Sequence, residues 1–250
     1  AGNTFVTAAG VDDVENPSYV VSAIYPTISS AISGAREGAN IQVAAGEYSS
    51  PTINLKDNLT IKGAQAGNDA RQRGQSEAGE TVIVGTGRIF NLAAGVTLDG
   101  LYFRDIRHRG MDEAGKVVSD LTIKNSVFLS TTGSFQGGAI QIAPTTANNF
   151  VFENNYVGNR GGYMLYFGPG GTFENGAIRN NYINSDGFMF GPFNEAPGWV
   201  ISGNHFDGTL DGTPYDGYSI NAQFGNVQVA NNKFEKLVRG PQISVISGSV

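Results

Sequence analysis

From residue 96 to residue 234 the chain repeats one line: an apolar residue between polar neighbours, a pair rich in Gly or Asn, one variable residue, and an apolar residue again. "VTLDGLYF" (96–103), "LTIKNSVF" (121–128), "FVFENNYV" (150–157), "GAIRNNYI" (176–183), "WVISGNHF" (199–206) and "VQVANNKF" (227–234) all fit it. Leu98, Ile123, Phe152, Ile178, Ile201 and Val229 make one apolar column; five residues later Phe103, Phe128, Val157, Ile183, Phe206 and Phe234 make a second. Alternation of this kind predicts strands with one buried face. Between the columns stand Gly100, Asn125, Asn154, Asn180, Gly203 and Asn231, the residue types that enter left-handed backbone at least cost, so a bend is predicted there in every line. Next come Asn155, Asn181, Asn204 and Asn232. The lines lie 23 to 29 residues apart, the period of a solenoid coil with no helix inside it. The pattern predicts an all-β fold, a single-stranded parallel β-helix, with Asn side chains stacked one per coil at about 4.8 Å and bonded along the axis.

A second set of segments recurs with the same period: "HRGMD" (108–112), "GGAIQI" (137–142), "GGYMLYF" (161–167), "DGFMF" (186–190), "DGYSIN" (216–221) and "RGPQISV" (239–245). Aligned on their glycines, they predict a third strand per coil. That alignment puts Asp186 and Asp216 on adjacent rungs with Arg239 one coil on, and Tyr163, Phe188 and Tyr218 in one column. The N-terminal part reads differently. Pro26 and Thr27 precede Ile28, Ala31 and Ile32 at helical spacing, which predicts a short capping helix over 27–33 covering the first coil's open edges. The polar stretch 66–80 has no apolar period and is expected as a loop thrown out of the solenoid. The whole chain, 1–250, is thus one domain: a cap region over 1–38 and coils over 39–250. The last residues, "PQISVISGSV", are strand-like with no visible cap, so a further chain segment or a second copy is expected to cover that end.

Composition narrows the function classes. Charged residues are 15% of 250, the net charge is −6, and Gly numbers 35, which suits turn-rich β-structure and argues against nucleic acid as a partner. No apolar run is long enough to span a bilayer. Cysteine is absent, so disulfide and thiol chemistry are excluded.

The stretch 26–103 resembles the start of pectate-lyase-like right-handed β-helix proteins. Its "TISSAI" (27–32), "IQVAAGEY" (41–48), "LTIKGA" (59–64) and "VTLDGLYF" (96–103) carry the likeness. The resemblance implies a right-handed coil and a place outside the cell or on a cell or virion surface. It is weak for activity, because lyases, esterases, epimerases and adhesins share this opening. The catalytic signatures of the enzymes do not appear. "GGAIQIA" (137–143) only echoes one esterase strand. No Gly-His-Gly or Asp-Pro-His-Glu occurs, the only adjacent aspartates are Asp12 and Asp13, and His108 and His205 are the only histidines.

Three constellations remain. Arg104, Arg107, His108 and Arg109 could bind a uronate, with Arg109 as base, or form a turn whose charges pair with Asp105, Asp112 and Glu113. Asp186 and Asp216 could share a proton, bind a cation or cleave a glycoside, or be neutralised by Arg239. Tyr163, Tyr218 and Trp199 could stack against sugar rings or belong to the core. Separately from these three, Asp207, Asp211 and Asp216 gather acidic groups that could hold Ca²⁺, although their spacing is not that of an EF-hand and a solvated loop competes. No other cofactor is implied. The reading that follows is a non-catalytic surface module for adhesion, coat or filament building with weak polysaccharide binding. The alternative is a lyase or glycoside hydrolase on an acidic glycan.

Overall fold

The computed structural model describes residues 3–6, 21–49, 51–85, 87–106, 109–113, 115–129, 139–142, 146–158, 163–168, 170–184, 188–190, 197–210, 213–218, 220–224, 227–239 and 242–245. For 3–6, 21–24, 188–190, 209–210, 213–218, 221–224, 238–239 and 242–245 it describes the backbone alone. The chain winds into a parallel β-helix with three long sheets, each taking one strand from every coil. The first sheet has ten strands and the second and third have eight each; every pairing within them is parallel.

The registers of the first two sheets follow the two apolar columns. Leu98, Ile123, Phe152, Ile178, Ile201 and Val229 pair in succession. So do Phe103, Phe128, Val157, Ile183, Phe206 and Phe234. Ile123, Phe152, Ile178 and Ile201 are fully buried, and Phe128 stacks on Phe103 at 4.8 Å and 14°. Between the sheets the chain turns through Asn125, Asn154, Asn180 and Asn231 at φ of 51 to 56°, and through Gly100 and Gly203 at 70 and 66°.

Just beyond the bend the Asn side chains form the expected ladder. Asn155 Nδ2 donates to Asn181 Oδ1 (3.1 Å), Asn181 Nδ2 to Asn204 Oδ1 (2.9 Å) and Asn204 Nδ2 to Asn232 Oδ1 (3.0 Å). Each Oδ1 also accepts the backbone N–H of the preceding rung, and each Nδ2 reaches a carbonyl of the preceding coil, such as Phe152 for Asn181. Ser126 ends the ladder by donating its N–H to Asn155 Oδ1 and accepting the N–H of Leu101 at Oγ. Every buried polar group in the bend thereby finds a partner.

The N-terminal helix α1 (Ile28–Gly34) is capped by Thr27, whose Oγ1 accepts from Ser30 N at 3.1 Å. It buries Ile28, Ala31 and Ile32 against the strands Asn3–Val6, Val21–Tyr25 and Asn40–Val43. The region read as a cap therefore also supplies two strands, Asn3–Val6 and Val21–Tyr25, which extend the first sheet beyond residue 39.

Two expectations are corrected. In the third sheet the glycine-led segments are successive strands, but the glycines do not set the register. Met111, Ile140, Leu165, Phe188 and Ile220 pair in turn. Their offsets from the preceding Gly are one, two, three, one and three residues. Inward apolar positions fix a register, whereas turn length varies freely between coils. Tyr163, Phe188 and Tyr218 are consequently not one column. The stretch 66–80 is likewise no free loop. It contains α2 (Ala70–Arg73) and folds back along the second sheet, with Ala70 fully buried among Val82, Tyr102 and Val127.

Candidate functional site

Since Phe103, Phe128, Val157, Ile183 and Phe206 point inward, their neighbours on the second sheet point outward. One outward row runs Tyr102, Val127, Tyr156, Tyr182, His205, Lys233. In the parallel row two residues on, Asp207 pairs with Glu235.

The 66–80 strap lies over the lower part of this face. Gly67 N–H donates to Asp99 Oδ1 (3.0 Å) and Ala70 N–H to the Asn154 carbonyl (3.1 Å). Arg73 braces the strap internally, donating to Glu80 Oε1 (2.6 Å) and to the Asn68 carbonyl, and ties it to the coil beneath through the Asn125 carbonyl (2.9 Å). Tyr102 OH donates to the Gln75 carbonyl (3.2 Å), and Arg104 pairs with Glu77 and Glu47, both at 2.7 Å. Gly100 must be glycine, because a Cβ there would stand 2.1 Å from the strap's Ala66 nitrogen. Tyr102 is thus fully covered, and burial, helped by the charges of Glu77 and Glu80, pushes its hydroxyl up to about 12.

Where the strap turns at α2 it leaves a groove of about 390 Å³ lined by Asp69, Arg71, Gln72, Tyr156, Tyr182 and His205. Asp69 and Arg71 pair through Nη2–Oδ2 at 2.5 Å. Burial pushes the Asp69 carboxyl up, but the bonds from Arg71 outweigh it and hold the group below its ordinary value; Arg71 is raised in return. Tyr156 and Tyr182 stack at 4.9 Å and 13°, and His205 meets Tyr182 edge-on at 5.1 Å and 89°. The tyrosine faces are spent on each other, so the groove meets ring edges and polar tips.

Tyr182 OH donates to Asp207 Oδ2 (3.0 Å); burial and that carboxylate push the phenol up to about 12. His205 Nε2 and Glu235 Oε1 share a hydrogen bond of 2.6 Å. Lys233 Nζ lies 2.8 Å from Glu235 Oε2, and Lys236 Nζ 3.8 Å from Asp207 Oδ2. Lys233 and His205 hold the Glu235 carboxyl below its ordinary value. Asp207 and Glu235 thus stand on adjacent rungs, each with a cationic partner.

The residues singled out from sequence are placed as follows. Arg109, at φ 55°, donates to Gln141 Oε1 (3.0 Å) and sits 3.9 Å from Asp112, which Arg88 also pairs at 2.9 Å. This cluster lies on the third sheet, away from the groove. Trp199 offers no stacking surface: it is 1% exposed, donates from Nε1 to the Phe173 carbonyl, and packs over Gly176, where a Cβ would come within 2.4 Å of the indole. Tyr163 is half-buried. Tyr218 and Asp216 stand in the strand Thr213–Tyr218, beside Leu237–Arg239; there the backbone pairs Tyr218, not Asp216, with Arg239. Asp207 stands in the strand His205–Asp207 rather than in a loop. Arg107, His108, Asp186 and Asp211 lie outside the described residues. Sequence reading missed Tyr156, Tyr182, His205, Glu235 and the strap; strand parity around Phe206 and Phe234 was the signal that could have found the last two side chains.

No family model matches this chain, and no curated protein does. The chain is similar to a solved structure of pectate lyase Pel9A, at 13% identity and a TM-score of 0.31, over 100% of this chain and 78% of the other. Among the described residues no helix is long and apolar enough to cross a membrane.

Proposed function

We propose that this protein is an extracellular β-helix module that binds polysaccharide, without turning it over, in the groove between the strap and the second sheet. The observation that carries this reading is the make-up of the groove. Arg71, Gln72, the Tyr156 hydroxyl and His205 offer donors and acceptors beside aromatic edges, on a sheet fixed by the Asn ladder. Sugars present hydroxyls that need both kinds of partner and apolar C–H patches that suit aromatic carbon. A rigid wall also lowers the ordering cost of binding. Placement outside the cell rests on the resemblance of 26–103.

The non-catalytic part is supported by pairing. Asp69 is taken by Arg71, Asp207 by Tyr182 and Lys236, and Glu235 by His205 and Lys233. A general acid or base must be able to exchange its proton with the substrate. One observation favours the alternative of a polysaccharide-active enzyme: His205, hydrogen-bonded to Glu235, borders the groove.

The test is a calorimetric titration of neutral and acidic oligosaccharides, with product analysis on the same samples. The proposal expects saturable binding that falls at least tenfold in Tyr156→Ala and Arg71→Ala, with no new chain ends. Turnover that disappears in a folded His205→Ala variant would replace it with the enzyme reading. A panel that neither binds nor reacts would contradict both.

A further inference from the structure

We propose that His205, Asp207 and Glu235 form a binding site for a first-row divalent transition metal ion of the zinc or cobalt type. This goes beyond the polysaccharide reading and stands whether or not the groove binds sugar. The three residues are neighbours for a topological reason. His205 and Asp207 are two apart on one strand and share its outward face, and Glu235 is the direct cross-strand partner of Asp207. One ligand atom from each lies within 4.8 Å of the others, and His205 Nε2 is already 2.6 Å from Glu235 Oε1. Ligand atoms around a tetrahedral ion of this size are about 3.4 Å apart, so small side-chain rotations complete the set.

The rungs beneath are held by Phe206, stacked on Phe234 at 5.0 Å and 7°. The Tyr182 hydroxyl bonded to Asp207 Oδ2 supplies the outer contact that orients a ligating carboxylate. An imidazole with two carboxylates suits zinc, cobalt or nickel, whereas calcium and magnesium take oxygen ligands alone. The inference therefore departs from the Ca²⁺ expected of Asp207, Asp211 and Asp216.

Charge is conserved on binding. Asp207 and Glu235 are balanced by Lys236 and Lys233, whose side chains are 58% and 61% exposed and free to swing into solvent. A dication replaces two ammonium groups with no net charge left over. Because His205 lines the groove, the ion would stand at its edge with remaining positions open to solvent.

The composition makes the test clean: the chain has no cysteine and only two histidines, His108 and His205. Co²⁺ is titrated into the full chain and followed by visible absorption, with Zn²⁺ calorimetry in parallel. One equivalent of Co²⁺ should bind and resist competition by Ca²⁺. Binding should weaken at least tenfold in His205→Ala and in Glu235→Gln and be unchanged in His108→Ala. Circular dichroism checks that each variant folds; if His205→Ala does not, Glu235→Gln and Asp207→Asn carry the comparison. Absence of Co²⁺ binding, retention of full affinity in the folded variants, or loss in His108→Ala overturns the proposal.

Discussion

Replacing Asn181 with alanine takes one rung out of the middle of the ladder. The side chain is fully buried. Its Oδ1 accepts the Asn155 backbone N–H at 2.9 Å and Asn155 Nδ2 at 3.1 Å, and its Nδ2 donates to the Phe152 carbonyl at 3.0 Å and to Asn204 Oδ1 at 2.9 Å. After the change Asn155 Nδ2 keeps the Ile123 carbonyl, and Asn204 Oδ1 keeps the Asn181 backbone N–H. The Asn155 N–H is orphaned in the interior, at about 1–3 kcal/mol, and the other lost bonds add about 0.5–1.5 kcal/mol each. The sum is about 2.5–7.5 kcal/mol, with the low end reached if a water enters the vacated polar space. Asn232→Ala removes the same atoms at the half-exposed end of the ladder, where solvent can replace them, and should cost about 1 kcal/mol or less. Urea titrations followed by circular dichroism give both values, provided the slope is unchanged. A loss below about 1 kcal/mol for Asn181→Ala, or equal losses at the two positions, would refute the reasoning.

Ile178→Asp puts a carboxylate without a partner into a fully buried column, and thermal melting should show a loss of at least about 4 kcal/mol or no folded state; an unchanged melt would mean the register is wrong. Gly100→Ala should push the strap off the sheet, seen as faster hydrogen exchange over 64–68, because the added methyl meets the Ala66 nitrogen at 2.1 Å; exchange as in the parent would contradict that contact. At alkaline pH the folded chain keeps the Tyr102 proton to about 12, while the unfolded phenol releases it near its ordinary value of 10. The Tyr102 contribution to stability is therefore fully present below about pH 10 and lost between about 10 and 12, and Tyr102→Phe should flatten that fall; an identical slope in the variant would count against the burial argument.

The first two sheets were legible because a constant five-residue link joins their apolar columns, so one alignment predicts both registers. The third sheet was not, since the turns leading into it differ in length and their glycines follow no rung. The strap hid for a different reason. Apart from Ala70 it is held by side chains and carbonyls of distant coils, such as Asn125, Asn154 and Tyr102, and such contacts leave no apolar period. Aromatic type misled at Trp199, whose indole is buried in the core. Parity was the better guide: flanking the buried Phe206, it places His205 and Asp207 on the outer face.

The proposed polysaccharide site predicts contact on the strap side of the coil. Hydrogen exchange read by mass spectrometry, with and without saturating oligosaccharide, maps that contact directly. New protection should concentrate in 68–75, 154–158, 180–184 and 203–207, the strap tip and the Tyr156–Tyr182–His205 face. Protection confined to the third sheet around Arg109 and Gln141, or none anywhere while binding is measured, would contradict it.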